Sequence, residues 1–361
     1  MYRDMSASEL AGRLGSADEP FLLDVREPHE VAEWAIPGAV NIPLGELAER
    51  AGDVPRDREV VTVCASGNRS SRAADALARA GYHVANLSGG MAAWGAVYDW
   101  VTVDLDEVRI VQVRRRGKGC LSYVVGAAGE AVVIDPSLEV DVYLQVASEH
   151  DWRITHVFDT HLHADHLSGA RDLADATGAA LHLNPADAFH FPFEPLHDGD
   201  HFSLTGGLEL SVAALHTPGH TEGSTVYFVN GRAVLTGDTL FVEGVGRPDL
   251  AERAAEFAHN LYRSLHERVL TLADDALVLP GHCGESVAVH PDQPVGATLA
   301  ELRRNLPPLS MSEADFVAWA TERTTPRPPN YVEIVHANIG RAQAPIDLLR
   351  RLEVGPNRCS A

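Results

Sequence analysis

The feature that most constrains the fold is a short segment at 160–166, with the sequence Thr-His-Leu-His-Ala-Asp-His. It follows an apolar, strand-like run from Ile154 to Phe158. A single histidine at such a place would more often be structural, but three imidazoles and one carboxylate supply four metal ligands within six residues. The segment therefore predicts a metal centre at the carboxyl end of a strand.

Further candidate ligands follow three other predicted strands. Each comes soon after an apolar run and beside a glycine: His220 after 208–215, Asp238 after 233–235 and His282 after 277–279. Open α/β architectures gather their sites at the carboxyl ends of strands, and glycine allows close turns there. We therefore predict that seven ligands converge. They are His161, His163, Asp165, His166, His220, Asp238 and His282.

The N-terminal part alternates short apolar runs with helix-like stretches. The runs 21–23 and 60–63 are typical of buried parallel strands, and 71–80 is typical of a helix that ends at Gly81. Alternation of this kind predicts an α/β sheet covered by helices on both faces.

From Glu107 onward the pattern changes, with several strand-like runs before the helices. A chain of 361 residues is long enough for two compact domains. The predicted boundaries are 1–100 for the first domain, 101–106 for an acidic linker, 107–340 for the second domain and 341–361 for a C-terminal tail.

A second candidate site is Cys64, which lies between a predicted strand and a predicted helix. In that geometry backbone N–H groups and the helix N-terminus stabilise an anion, so the cysteine is expected to be a nucleophilic thiolate. Gly67 permits the tight turn, and Arg69 and Arg72 are expected to bind an oxyanion such as thiosulfate or sulfite. The alternative is a buried, inert cysteine.

The loop 64–69 resembles the rhodanese active loop, Cys-x-x-Gly-x-Arg, and supporting segments at 23–27, 36–43 and 87–94 occur in the family's order. Trp34 and Ala35 stand where that family usually has Gly-His. The resemblance covers about residues 5–98 and implies sulfur transfer, because related phosphatases carry a longer loop. It implies catalytic roles for Cys64 and Arg69 and substrate binding by Gly67 and Arg72.

The ligand motifs resemble the metallo-β-lactamase superfamily over 107–340, which implies an αββα sandwich. Two metal contents remain open. Two zinc ions would make a bridging hydroxide for hydrolysis, as in glyoxalase II. The resemblance then implies His161, His163 and His220 at one zinc, Asp165, His166 and His282 at the other, and Asp238 between them.

Persulfide dioxygenases of the same superfamily bind one Fe²⁺ per chain through two histidines and one aspartate. That resemblance implies His161, His220 and Asp238 as ligands, leaves the other four as vestigial ligands, and keeps positions open for O₂ and a persulfide sulfur. The segments 237–250 and 328–331 resemble that branch, whereas Cys283-Gly284 departs from the pair expected after His282 in both families. Arg247 is expected either to bind the carboxylate of a thiol or to pair with Asp249.

Together these resemblances imply a bifunctional sulfur-metabolism enzyme. It would oxidise a low-molecular-weight thiol persulfide to sulfite with O₂ and exchange sulfur with thiosulfate or persulfide at Cys64. The alternative is a dizinc thioester hydrolase with an accessory rhodanese domain. A formal net charge of -22 argues against nucleic acid and anionic membranes as partners.

Cytoplasmic location is expected, because the N-terminus lacks a signal pattern and no apolar run is long enough to span a membrane. Cys120 and Cys359 are expected to be ordinary cysteines, and Cys283 to lie near the metal site. The thiol carrier stays open, as does the oligomeric state, although the resemblance implies that a homodimer is common.

Overall fold

The structure is a computed structural model that describes residues 2–204, 212–249, 253–284, 287–323, 327, 330–341, 345–353 and 355. It contains two compact units. The first includes residues up to Asp99 together with 115–119, and the second includes 100–114 and residues from Cys120 to Glu353.

The first unit is built on a parallel sheet of five strands in the order β1-β5-β4-β2-β3. The strands are β1 (Arg3–Met5), β2 (Phe21–Asp24), β3 (Val40–Asn41), β4 (Val60–Val63) and β5 (Val84–Leu87). The helices are α1 (Ala7–Arg13), α2 (Pro28–Glu33), α3 (Leu47–Arg50), α4 (Asn68–Arg79) and α5 (Gly90–Trp94).

This sheet is buried on both faces. Consecutive residues of β4 point to opposite sides, so Val61 packs with α1 and α5 while Val60 packs with α3 and α4. Three of the four residues of β4 are valines, and Thr62 is buried as well, which fits a strand whose two faces are both covered. The predicted strands at 21–23 and 60–63 and the predicted helix at 71–80 correspond to β2, β4 and α4.

The second unit contains two sheets, with seven strands in the order β12-β11-β10-β9-β8-β7-β6 and six in the order β13-β14-β15-β16-β17-β18. The first sheet contains β6 (Tyr98–Leu105), β7 (Val108–Arg115), β8 (Cys120–Ala127), β9 (Glu130–Ile134), β10 (Arg153–Phe158), β11 (Ala180–Leu183) and β12 (Glu194–Pro195). The second contains β13 (His201–Phe202), β14 (Val212–His216), β15 (Thr225–Val229), β16 (Ala233–Gly237), β17 (Leu277–Pro280) and β18 (Ala297–Thr298).

The two sheets pack face to face, and helices cover their outer sides. The inner core joins residues of both sheets, such as Val125 and Phe158 with Tyr227 and Leu235. The helices are α6 (Asp141–Glu149), α7 (Ala170–Thr177), α8 (Ala254–Glu267), α9 (Leu299–Asn305), α10 (Glu313–Glu322), α11 (Tyr331–Asn338) and α12 (Ile346–Leu352). Contacts of α6 and α7 with the first sheet, and a shared core of α8–α10 with the second, make the αββα sandwich that was predicted.

Two segments differ from their sequence-based description. Residues 101–105 of the expected linker lie in strand β6, where Val101 and Leu105 are buried and Thr102 and Asp104 are exposed. This alternation has a period of two, which a search for helical period overlooks. The expected tail 341–361 contains α12, whose Leu352 packs on an apolar cluster.

Candidate functional site

The sulfur atom of Cys64 lies in a cradle of hydrogen-bond donors at the start of α4. The side chain is buried, and Gly67 donates its backbone N–H to Sγ over 3.1 Å. Gly67 has a φ of +95°, a conformation that strains any residue with a Cβ. Gly90 closes the back of the loop, since a Cβ there would meet the Cys64 carbonyl oxygen at 2.1 Å. The loop is therefore a closely packed turn that directs a backbone donor at the sulfur.

Burial alone would raise the pKa of the Cys64 thiol. Hydrogen bonds from the Ser70 side chain and from the backbone N–H groups of Ser70, Ser66 and Gly67 outweigh it and lower the pKa below its ordinary value. Ser70 has one hydroxyl proton and three acceptors in reach, namely Cys64 Sγ at 3.3 Å, the Gly67 carbonyl at 3.1 Å and Asn86 Oδ1 at 2.7 Å. The backbone donors are consequently the steadier support of the thiolate.

We expect Ser70→Ala to slow the alkylation of Cys64 by iodoacetamide at pH 7 by about two- to tenfold, since it removes one hydrogen bond to the thiolate. The pKa of Cys64 would rise, so the rate-versus-pH curve would move to higher pH. Peptide mapping after timed labelling measures this. Ser71→Ala, one residue along the helix, is the control because Ser71 bonds the Asn68 carbonyl instead. An unchanged curve for Ser70→Ala would contradict the assignment.

The two arginines expected near the loop differ in environment. Arg69 donates to both carboxylate oxygens of Glu30, over 2.6 and 2.7 Å. Arg72 is exposed and makes no ion pair with any residue in the described ranges. Sequence reasoning missed Glu30, because it lies 39 residues before Arg69 and in a different helix.

Three of the predicted metal ligands converge in the second unit. Nε2 of His161 and Nε2 of His220 lie 3.7 and 3.5 Å from Oδ2 of Asp238. Their three side chains are at most 3% exposed and can offer ligand atoms to one ion. Each follows a different strand, β10, β14 or β16, and these strands meet at one edge of the sandwich.

The donor atoms of this group fit a metal ion. His161 Nε2, His220 Nε2 and Asp238 Oδ2 are buried and have no hydrogen-bond partner among the described residues. Buried polar atoms are rarely left unpaired, so three that converge indicate an ion. Burial lowers the pKa of both His161 and His220, which leaves neutral imidazoles able to bind a metal.

Outer hydrogen bonds orient these ligands. His161 Nδ1 lies 2.8 Å from Thr160 Oγ1, and that hydroxyl donates to Asp135 Oδ2 over 2.9 Å. His220 Nδ1 donates to the backbone carbonyl of Arg247 over 3.0 Å. Such partners fix the tautomer, so that Nε2 is left available to bind a metal.

The other four predicted ligands fall into two separate groups. His163 turns its Nε2 to Asp135 at 3.1 Å and groups with Asp135 and Asp159. Asp165, His166 and His282 group with Cys120, which the sequence had suggested to be an ordinary cysteine. Cys120 is the first residue of β8 and is distant in sequence from every histidine motif. An isolated β-bridge pairs it with His282.

His282 links the group that contains Cys120 to the group of His161, His220 and Asp238. Its Nδ1 lies 2.6 Å from Asp238 Oδ1, and its Nε2 lies 2.9 Å from Asp165 Oδ2. Asp238 therefore directs Oδ2 towards His161 and His220, and Oδ1 towards His282 in the group with Cys120.

Asp187 connects the turn that contains His161 to the turn that contains His220. It is buried and accepts hydrogen bonds from the backbone N–H groups of Leu162 and Gly223 and from the Thr221 hydroxyl. Asp187 matched no motif, and the sequence offers no signal that singles it out. It holds the turn that contains His161 against the turn that contains His220.

Arg247 is 1% exposed, and its guanidinium pairs with both oxygens of Asp249 at 2.7 Å. Of the two interpretations of this residue, the geometry matches the ion pair. Leu250 of the 237–250 segment, Pro328 and Pro329 of the 328–331 segment, and Cys359 lie outside the described residues.

A cavity of about 230 Å³ borders His220. Its wall is largely apolar, with Leu162, Phe257, Tyr331 and Val335 among the lining side chains. An apolar cavity beside a set of metal ligands suits the organic part of a small substrate.

Gly281 packs closely against the Asp238 side chain, so a substitution at Gly281 tests whether the position of Asp238 matters for metal binding. A Cβ at this position would lie 2.8 Å from Asp238 Oδ1 and 3.1 Å from the Gly237 backbone, neither of which has room to move. We expect Gly281→Ala to displace Asp238 and lower bound metal and activity about tenfold or more. Gly45→Ala, where an added Cβ meets nothing within 4 Å, is the control. Full metal content in folded Gly281→Ala protein would contradict this geometry.

Comparison with known proteins places both units in families. Residues 6–97 match the rhodanese-like domain, and residues 115–282 match the metallo-beta-lactamase superfamily. The mitochondrial persulfide dioxygenase ETHE1 of Bos taurus is 32% identical over 232 residues, which cover 62% of this chain and 84% of that protein.

Solved structures agree with this result. The crystal structure of ETHE1 from Myxococcus xanthus has a TM-score of 0.55 and 32% identity, and the match covers 67% of this chain and 98% of that one. A metallo-beta-lactamase from Staphylococcus aureus has a TM-score of 0.60 and 25% identity, and the match covers 66% and 74% of the two chains.

The fold and the matches define a protein in which a rhodanese-like domain precedes a metallo-β-lactamase-fold domain. The chain belongs to the persulfide dioxygenase family that includes ETHE1. Within the described residues, none of the helices has both the length and the apolar character needed to cross a membrane.

Proposed function

We propose that this chain oxidises the persulfide of a low-molecular-weight thiol with O₂ to sulfite, and that Cys64 transfers sulfane sulfur. The observation that carries the oxidation is the convergence of His161, His220 and Asp238, whose ligand atoms are buried and have no hydrogen-bond partner among the described residues. Membership in the persulfide dioxygenase family supports the same reaction.

Two imidazoles and one carboxylate are the ligand set of non-haem Fe(II) oxygenases, so we infer that His161, His220 and Asp238 hold one Fe²⁺ per chain. When bound, iron would supply open coordination positions for O₂ and for the persulfide sulfur. The protein contributes the positions of the ligands, through Thr160 and the Arg247 carbonyl, and an apolar cavity for the organic part of the thiol.

The overall reaction balances as RSSH + O₂ + H₂O → RSH + SO₃²⁻ + 2 H⁺. The S–S bond breaks, the two sulfur atoms together lose four electrons, and O₂ accepts them. Because O₂ accepts all four electrons, no further oxidant or reductant is required.

The second candidate function is hydrolysis of a thioester by two zinc ions. The group of Asp165, His166 and His282, joined to the first group through Asp238, is the observation that favours it. Such a site would use a bridging hydroxide and would not require O₂.

The two functions are separated by O₂ uptake. With glutathione persulfide as the probe, the proposed function predicts one O₂ consumed for each sulfite formed, and no product under argon. Hydrolysis of S-lactoylglutathione under argon, without oxidation of the persulfide in air, would support the zinc hydrolase instead.

A further inference from the structure

Arg69, at the start of the helix that follows Cys64, already has an anionic partner. The guanidinium of Arg69 and the carboxylate of Glu30 form two parallel hydrogen bonds, a geometry that favours a fixed pair. Their side chains are 33% and 27% exposed, so neither is deeply buried. The Arg69 guanidinium lowers the pKa of Glu30 to about 2, and the carboxylate is therefore ionised throughout the neutral range.

The position of Arg69 makes this pair relevant to the reaction. Arg69 lies in the first turn of α4, five residues after Cys64 in the sequence, and its charge interacts with the Cys64 thiolate. Two of its five N–H groups are directed at Glu30, so a substrate meets a cation that is oriented and largely neutralised. Arg72, one turn further along α4, is left as an exposed cation.

Charge then distinguishes two classes of sulfur donor. Thiosulfate is a dianion and must approach both a thiolate and the Glu30 carboxylate. A thiol persulfide brings only one negative charge on the reacting group. Repulsion from a neighbouring carboxylate therefore costs the dianion more.

We propose that Glu30 sets the donor preference of the Cys64 loop by weakening the binding of thiosulfate and sulfite relative to thiol persulfides. This inference rests on the proposed sulfur transfer at Cys64. It gives the first unit the same class of sulfur donor that we propose as the substrate of the second unit.

Both transfers are balanced at Cys64. With thiosulfate, the thiolate attacks the outer sulfur, a Cys–S–S⁻ persulfide forms, the S–S bond of thiosulfate breaks and sulfite leaves with the electron pair. With a thiol persulfide the same Cys–S–S⁻ forms and RS⁻ leaves. Neither step needs an oxidant.

Glu30→Gln tests the proposal, because glutamine keeps an acceptor for the Glu27 backbone N–H that Glu30 caps. We expect the KM for thiosulfate to fall about three- to tenfold, while kcat/KM for glutathione persulfide changes less than about twofold. Glu33→Gln is the matched control, since Glu33 lies on the same helix, is exposed and makes no ion pair in the described part of the chain.

A second readout does not depend on turnover. The ratio of the rates at which iodoacetate and iodoacetamide alkylate Cys64 reports how the loop treats an anion, because the neutral reagent corrects for thiolate reactivity. We expect this ratio to rise about three- to tenfold in Glu30→Gln, to rise less in Glu30→Asp and to stay unchanged in Glu33→Gln.

An unchanged ratio and an unchanged thiosulfate KM in folded Glu30→Gln protein would overturn the proposal, and so would an equal shift in Glu33→Gln. If the wild-type protein transferred no sulfur from any donor, the proposed function of Cys64 would fail. The alkylation ratio would still show whether Glu30 controls anion access, so the two failures are distinguishable.

Discussion

Replacing His220 by alanine should abolish O₂ uptake with persulfide, with a loss of at least about 100-fold, and should remove the bound iron. The reason is that His220 supplies one of three converging ligand atoms and is held by the Arg247 carbonyl. Loss of an outer partner of a metal ligand already costs about 10- to 100-fold, so loss of the ligand itself costs more. Oxygen electrode traces and metal analysis of the same preparation measure both effects.

His216→Ala is the matched control for this variant. His216 lies four residues away at the end of β14, and its ring contacts the Glu222 carbonyl rather than the metal ligands. We expect its iron content and activity to stay within about twofold of the wild type. Equal losses of iron and activity in both variants would contradict a ligand role for His220. They would mean that either substitution disturbs the structure at the end of β14.

Replacing Cys64 by serine should abolish sulfur transfer to sulfite or cyanide while leaving sulfite production from persulfide within about twofold. Serine keeps the size of the side chain, but it does not form a reactive anion at neutral pH. The donors of the loop would then surround a hydroxyl. Thiosulfate or thiocyanate formation measures the first activity, and O₂ uptake in the same protein is the internal control.

Retention of sulfur transfer in Cys64→Ser protein would place the sulfur carrier elsewhere. Loss of both activities in folded protein would argue against two independent sites. Thermal unfolding of the variant beside the wild type decides whether a double loss reflects chemistry or folding.

The convergence of three candidate ligands was predictable because it depends on local signals. His161, His220 and Asp238 each follow an apolar run that forms a strand, and strand ends of one sandwich edge lie close together. The apolar pattern predicts where the strands lie. A motif that directly follows a strand must then lie at the carboxyl end of that strand.

The partners of those residues depend on long-range contacts that have no local signal. Cys120 reaches His282 through a β-bridge, and Glu30 reaches Arg69 from another helix. Segment 101–105 differed from its sequence-based description for another reason. Its acidic residues suggested a linker, although every second residue is apolar and the segment lies in a strand. An edge strand is half polar by nature, so composition alone conceals it.

Metal identity and stoichiometry per chain distinguish the iron oxygenase from the zinc hydrolase. The protein would be purified without oxygen and analysed for iron and zinc, alone and after reconstitution with Fe²⁺. The proposed iron site predicts about one iron per chain with little zinc, and loss of that iron in His220→Ala. About two zinc ions per chain, retained when iron is offered, would contradict it and would assign hydrolysis to the second unit.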